Sequence, residues 1–106
     1  MIEKILTAAG IPSQAARFYD PPRATYAVYF DSVAAEGPDA EASRIFTHDC
    51  TVELYAPTVD EGATAAANLE EELDALGIPY STQGWYWLSE TQRYQEIYEF
   101  TYIEKT

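Results

Sequence analysis

Hydrophobic and polar residues alternate most clearly over residues 44–55, which is the pattern of a β-strand with one covered face. The residues on one side of this strand are Phe46, His48, Cys50, Val52 and Leu54. Further alternating or aromatic-rich stretches predict strands at residues 25–33, 80–88 and 93–103, with an extended piece at residues 16–19. A turn at residues 89–92 is expected to join the last two long strands as a hairpin.

Apolar positions spaced three and four residues apart predict two helices, at residues 1–9 and 59–76. Thr58 and Glu61 form the capping-box pattern at the start of the second helix. Both helices end in the pattern Leu-x-Ala-x-Gly-Ile-Pro, at residues 6–12 and 73–79. Glycine stops a helix and proline favours an extended continuation, so we interpret the repetition as a helix-stop signal and not as a duplication.

The predicted order is therefore α-β-β-β-α-β-β, in one domain spanning residues 1–106. This order is typical of an α+β fold in which two helices pack on one face of a single, mostly antiparallel sheet. Residues 34–43 contain Gly37, Pro38 and Asp39 among small and acidic residues, and predict a long exposed loop. The final strand, residues 93–103, is rich in aromatic and β-branched residues and needs a pairing partner on each side, within the chain or from another copy.

The charge of the chain is strongly negative: 18 acidic residues stand against 6 basic ones, giving a formal net charge of −12. Such a charge disfavours binding to nucleic acid and to anionic membranes. It is compatible with a basic partner, with mimicry of DNA, with a surface past which DNA moves, or with solubility alone.

The single cysteine excludes an intrachain disulfide. The first residues lack a basic region followed by an apolar run, and no apolar stretch approaches membrane-spanning length, so neither a signal peptide nor a membrane span is expected. These features predict a reducing, cytoplasmic setting.

His48 and Cys50 lie two residues apart in a predicted strand, so their side chains point to the same side. A zinc site needs three or four ligands, and the chain has no second His or Cys to supply them. A cysteine nucleophile needs an orienting base and an oxyanion hole, for which no motif is present. We therefore interpret the pair as a buried thiol and a histidine near the sheet edge, and we predict no catalytic residues, no metal and no cofactor.

The acidic residues Glu70, Glu71, Glu72 and Asp74 fall in the C-terminal half of the second helix, where the helix dipole disfavours negative charge. No Lys or Arg lies between Arg44 and Arg93 to offset the repulsion along the helix. Two interpretations stay open: a solvated face, or a surface that receives a basic residue of a neighbouring subunit. The candidate basic residues are Arg17, Arg23, Arg44 and Arg93.

Aromatic residues form a second candidate surface. Trp85 and Trp87 share one side of a predicted strand, and one side of that strand is expected to pack under the main helix. Aromatic platforms that bind nucleic acid carry basic residues, and only Arg93 is near, so we favour core or subunit interface over ligand binding. Tyr98 and Tyr102 of the final strand are included among the candidate interface residues.

Three segments carry a resemblance to a known family: residues 25–29, the strand at 46–55 followed by an acidic helix, and residues 94–103. With the N-terminal helix, they resemble the small minor tail and head–tail joining proteins of tailed bacteriophages and prophages, most closely the tail terminator (tail completion) proteins. The resemblance covers nearly the whole chain and rests on pattern and element order.

This resemblance implies an α+β structural protein that forms a homo-oligomeric ring, commonly a hexamer, which caps the tail tube and joins it to the head. It implies other tail and neck proteins as partners, no enzyme activity and no cofactor. The expected location is the virion tail or neck, after assembly in the host cytoplasm. Two alternatives stay open: an acidic DNA mimic or inhibitor that binds a basic partner, and a small ligand-binding α+β domain.

Overall fold

The fold consists of one twisted sheet with two helices on one of its faces. A computed structural model describes residues 1–35 and 45–105, in which the elements are α1 (Ile2–Ala8), β1 (Ser13–Ala15), β2 (Tyr26–Ala35), β3 (Ile45–Ala56), α2 (Val59–Ala75), β4 (Tyr80–Thr82), β5 (Tyr86–Leu88) and β6 (Arg93–Lys105). The strand order is β1-β2-β3-β6-β4, with β5 also paired to β6. The pairing of β1 with β2 is parallel and the other pairings are antiparallel. The predicted α+β class and element order are confirmed.

The hydrophobic core lies between the helices and the sheet face that carries Cys50, Val52 and Leu54 of β3. Val52 pairs with Tyr29 of β2 and Tyr98 of β6, so these three side chains share that face. From the helices, the core receives mainly Ile2, Ile5, Leu6, Ala65, Ala66, Leu69 and Leu73. The residues that alternate along the sequence of β3 thus point in turn to the core and to the outer face of the sheet.

Tyrosine hydroxyls of the sheet donate hydrogen bonds to glutamates of the helices. Tyr29 of β2 donates to Glu3 of α1, and Tyr98 of β6 donates to Glu70 of α2. Tyr80 of β4 donates to the other carboxylate oxygen of Glu70 at 3.0 Å. Because each hydroxyl reaches past its buried ring to a carboxylate, these bonds fix the helices over particular strands.

Both helices end as the repeated sequence pattern predicts. Gly10 and Gly77 have φ angles of +75° and +69°, which glycine adopts without strain. The residue after each glycine donates its backbone N–H to a carbonyl of the helix. Ile11 N donates to the Leu6 carbonyl at 3.0 Å, and Ile78 N donates to the Leu73 carbonyl at 2.9 Å. This is the Schellman arrangement. At the start of α2, Thr58 Oγ1 accepts a bond from Glu61 N at 3.1 Å, as the capping pattern predicts.

The predicted strand at residues 80–88 is divided into β4 and β5. Thr82 pairs with Tyr98 and Tyr86 with Gln95, so three residues on one strand lie opposite two on the other. This one-residue bulge has Gly84 at φ +92°. The predicted hairpin is present, because Leu88 pairs with Arg93 across residues 89–92.

Two further boundaries differ from the prediction. The extended piece expected at residues 16–19 is wrong: β1 precedes it, and Ala16 leaves the strand with a φ of +64°. β2 continues through Ala35, so the first two residues of the predicted loop are strand. The rest of that loop lies outside the described residues. Hydrogen bonding to β3 extends β2 beyond the hydrophobic alternation visible in its sequence.

Candidate functional site

The helices cover only part of the long central strands. Residues 26–29 of β2 are buried, whereas residues 30–35 are exposed. These exposed residues pair with β3, which in turn pairs with the C-terminal part of β6. We call the three-stranded end formed by residues 30–35, 45–51 and 99–105 the ribbon. The described part of the molecule is accordingly elongated, with extents of 47 × 27 × 22 Å.

Both outer strands of the ribbon have an open backbone edge among the described residues. β1 pairs with β2 only at residues 27–29, which leaves residues 30–35 without a partner strand on the side away from β3. β4 pairs with β6 only at residues 98–100, which leaves residues 101–105 open on their far side. Unpaired strand edges are templates for pairing with another chain.

A buried histidine holds the three strands of the ribbon together on the helix side. His48 of β3 is 8% exposed. Its Nδ1 lies 2.9 and 3.0 Å from the two carboxylate oxygens of Asp31 in β2, and its Nε2 lies 2.9 Å from Glu104 Oε1 in β6. The imidazole stacks on the ring of Tyr102 at a centroid distance of 4.3 Å.

The histidine acts as a double donor to two acids. Burial lowers the pKa of His48, but the hydrogen bonds and charges of Glu104 and Asp31 raise it by a larger amount. The pKa of His48 is therefore above its usual value of 6.5. A neutral imidazole has one N–H, whereas imidazolium has two, and only imidazolium donates to both carboxylates. The prediction that His48 lies near the sheet edge is wrong, since β3 lies between β2 and β6.

Cys50 is a buried thiol, as predicted. Its Sγ donates to Asp31 Oδ1 at 3.7 Å. Burial, followed by the charge of Asp31, raises the pKa of Cys50 to about 12. The nitrogens of His48 are bonded to Asp31 and Glu104, so they do not activate the thiol as a base would. In the described residues, no group of three or more His, Cys, Asp and Glu side chains could hold a metal ion.

Open depressions surround the ribbon. One follows the β6 edge and is lined by Met1, Leu76, Ile78, Pro79 and Ile103, among others. Another lies at the β2 edge, where β1 ends, and includes Ala15, Ala16 and Phe30. These depressions are open to solvent, a form that suits contact with a protein surface better than enclosure of a small ligand.

No model of a known protein family matches the chain, and no curated protein matches it at a significant level. Among the described residues, no helix has the length and apolar character needed to cross a membrane.

The predicted acidic surface is divided by the structure. Glu70 is half-buried and bonded to Tyr80 and Tyr98, so it stabilises the fold from within. Glu71 and Asp74 are exposed and Glu72 is half-buried, so this side of α2 remains an acidic surface. These charges were visible in the sequence, but the bonds from Tyr80 and Tyr98 to Glu70 were not.

The predicted aromatic surface is mostly internal. Tyr98 and Tyr102 are buried in the core, so their assignment to an interface is wrong. Trp85 is half-buried and packs against the core beside Gly62 of α2, as the prediction of packing under the main helix requires. Only Trp87 keeps a half-exposed ring, which packs edge-on against Tyr94 at 5.0 Å.

Of the four candidate arginines, Arg17 and Arg23 are exposed. Arg93 is half-buried and donates to the Pro22 carbonyl at 3.5 Å. Arg44 lies outside the described residues. Sequence reasoning missed Asp31 and Glu104, because only strand register places these distant residues beside His48.

Proposed function

We propose that the chain is a structural assembly subunit that associates with copies of itself into a ring of the tail-terminator type. In this proposal the ring caps the tail tube of a phage or prophage and contacts other tail and neck proteins. Assembly takes place in the host cytoplasm, and the ring resides in the virion tail or neck. The observation that carries the proposal is the ribbon, which has an open backbone edge on each side among the described residues.

The ribbon shares the acidic character of the whole chain. Within its described residues, Asp31, Asp49, Glu99 and Glu104 are partly offset by His48 and Lys105. In the chain as a whole, 18 acidic residues face only 6 basic ones. Copies with a net charge of −12 repel one another, so association through the ribbon requires backbone pairing and apolar contacts that outweigh this repulsion.

The remaining surface suits a structural role. The exposed acids Glu71 and Asp74 lie on α2, and Glu99 lies on the outer sheet face. An acidic surface lets DNA pass without binding, which fits the lumen of a neck or tail ring. His48 and Cys50 are held in bonds that leave neither of them poised as a base or nucleophile.

The test is the assembly state of the purified protein. Native mass spectrometry and light scattering over a wide concentration range should give one discrete oligomer larger than a dimer. Negative-stain electron microscopy should show that oligomer as a closed ring with a lumen. A chain that stays a monomer or dimer at every concentration contradicts the proposal and favours the acidic inhibitor, which needs no ring.

A further inference from the structure

Backbone bonds beside β1 show which groups of β2 point away from β3. Ala27 N donates to the Pro12 carbonyl at 2.8 Å. The Tyr29 carbonyl accepts from Ala16 N at 2.9 Å. Because the backbone groups of alternate residues point to the same side of a strand, the N–H and C=O groups of residues 31, 33 and 35 point to the open side of β2. We call residues 30–35 the β2 edge.

These outward groups have no partner strand among the described residues. β1 pairs with residues 27–29 only, and Ala16 then turns the chain away from the edge at a φ of +64°. A folded domain that paired here through its own sheet would bring further structure against β1. A short extended segment brings none, so it fits along residues 30–35 beyond the end of β1.

The β2 edge presents an apolar side chain on each face of the sheet. Val33 pairs with His48 and therefore lies on the helix side, where it is 53% exposed. Phe30 alternates to the outer face and is 44% exposed. Together with Ala15 and Ala16, Phe30 lines the open depression at the end of β1. A strand added here would cover both apolar side chains.

The outer face beside this edge carries an accessible negative charge. Ser32 of β2 pairs with Asp49 of β3, and both side chains are exposed on that face. Two carboxylates line the depression, those of Asp31 and Asp49. Asp31 is bonded to His48, whereas Asp49 accepts only the Thr101 hydroxyl and has no basic partner among the described residues.

A basic side chain of an added strand can reach Asp49. The added strand and β3 would be two strand spacings apart, about 10 Å, with the small side chain of Ser32 between them. A lysine or arginine opposite Ser32 spans this distance together with the side chain of Asp49. The adjacent residue of the added strand points to the other face and meets Val33, so an apolar residue suits that position.

We propose that the β2 edge binds an extended segment of a partner protein, in which a lysine or arginine pairs with Asp49 and the adjacent apolar residue packs on Val33. Main-chain bonds supply the affinity of such strand addition, and alternate side chains supply its specificity. A basic partner fits better than a second copy, because the chain carries a charge of −12. The inference rests on the proposed function in taking this partner to be another protein of the assembly.

The probe is a fluorescein-labelled peptide of sequence Thr-Ile-Val-Lys-Val-Ile-Thr. The sequence reads the same in both directions, so either strand direction places its lysine opposite Ser32. Fluorescence anisotropy should show saturable binding of one peptide per chain, and the absence of such binding would overturn the proposal. A peptide with glutamine in place of lysine should bind at least about fivefold more weakly, because it lacks the charge that pairs with Asp49.

Val33→Pro tests the backbone contact. Proline removes the outward N–H of residue 33 and leaves the bonds between β2 and β3 in place, because that N–H points away from β3. Peptide binding should weaken at least about tenfold, whereas Val33→Ala, which keeps the N–H, should weaken it less. Circular dichroism confirms that each variant is folded.

A measurement on the unmodified chain does not depend on the folding of any variant. Amide hydrogen exchange, followed by NMR, should slow at residues 31, 33 and 35 when the peptide binds, because their N–H groups enter a new strand pairing. Unchanged exchange at these three residues in the presence of saturating peptide would place the peptide elsewhere and overturn the proposal.

Asp49→Asn tests the ion pair. This variant should bind the lysine peptide at least about fivefold more weakly and should bind the glutamine peptide unchanged. Asp60→Asn is the matched control: it makes the same change in net charge at an exposed position in the first turn of α2, and it should bind both peptides normally. Equal losses in the two variants would assign binding to net charge and overturn the proposed contact.

The inference and the proposed function fail separately. A chain that stays monomeric but binds the peptide at the β2 edge loses the ring and keeps the edge site. A ring that does not bind the peptide keeps the structural role and loses the edge site. A disulfide between two Val33→Cys chains under mild oxidation would show that two β2 edges pair with each other, and a second copy would then replace the partner protein.

Discussion

His48 shows how one residue can suggest catalysis in the sequence and serve the fold in the structure. Its spacing from Cys50 suggested a nucleophile pair, yet its ring nitrogens bond to Asp31 and Glu104. The three residues come from three adjacent strands, so the buried charge links β2, β3 and β6 where the helices no longer cover the outer strands. A buried charge with two hydrogen-bonded partners is stable, whereas one without partners is costly.

This arrangement predicts a pH-dependent stability. Because the folded protein raises the pKa of His48 above 6.5, its contribution is complete below the unfolded pKa and is lost as the pH rises through the folded pKa. The free energy of unfolding should therefore fall as the pH increases above about 6.5. Urea denaturation at several pH values measures this slope.

The His48→Gln variant provides the comparison. It should be less stable at low pH by about 1–3 kcal/mol, because it loses charge-assisted bonds, and its stability should vary less over the same pH range. An imidazole pKa below 6.5, measured by NMR in the folded protein, would contradict this account.

Glu70 and Glu71 are adjacent acids with different surroundings, and they should respond differently to substitution. Glu70→Ala removes the acceptor of the Tyr80 and Tyr98 hydroxyls and should destabilise the protein by about 1–3 kcal/mol. Glu71→Ala, at an exposed position near the end of α2, should leave stability within about 0.5 kcal/mol. Thermal and urea denaturation would test this, and equal losses would show that the tyrosine bonds contribute little.

At the scale of elements, the bulge between β4 and β5 decides which aromatic residues face the core. One carboxylate oxygen of Glu96 accepts bonds from the backbone N–H groups of Gln83, Gly84 and Ile97, at 3.0, 3.0 and 2.9 Å. These bonds satisfy donors that the interrupted ladder leaves unpaired. Beyond the extra residue the two faces exchange, so Tyr86 lies opposite Gln95 on the outer face.

The contact between α2 and Trp85 explains a glycine within the helix. A Cβ added at Gly62 would lie 2.5 Å from Cη2 of Trp85. Gly62→Ala should therefore destabilise the protein by about 1–3 kcal/mol, although alanine favours helix by about 1 kcal/mol. Denaturation of the variant measures this loss.

A control and a second variant separate helix propensity from steric overlap. Asn68→Ala, at an exposed position in α2, should be neutral or slightly stabilising. In the Trp85→Ala background, Gly62→Ala should lose its penalty, because the overlapping ring is gone. A penalty that persists without the indole would assign the effect to the helix backbone.

For the whole molecule, salt distinguishes two modes of assembly. If copies meet through the ribbon, added salt should strengthen association, because it screens the repulsion between chains of charge −12. If instead the acids of α2 receive arginines of a neighbour, added salt should weaken association. Light scattering at low and high salt separates the two outcomes, and Glu71→Lys should change assembly only in the second.

The sequence predicted the local features whose causes are also local. The alternation in β3, the capping of α2 by Thr58 and the glycine stops at Gly10 and Gly77 all appear as expected, because each depends on neighbours a few residues away. The misplaced β1 and the divided strand at residues 80–88 depend on pairing with distant strands, which no local pattern encodes.

By itself, the sequence determined the α+β class, the element order and the buried position of Cys50, because hydrophobic periodicity suffices for these. Only the tertiary structure decided that Tyr98 and Tyr102 are core, that Glu70 bonds tyrosines, and that Asp31 and Glu104 hold His48. It also decided where β1 and β4 end beside their longer neighbours. The physical reason is that strand register brings together residues far apart in the chain, and register is set by the packed sheet as a whole.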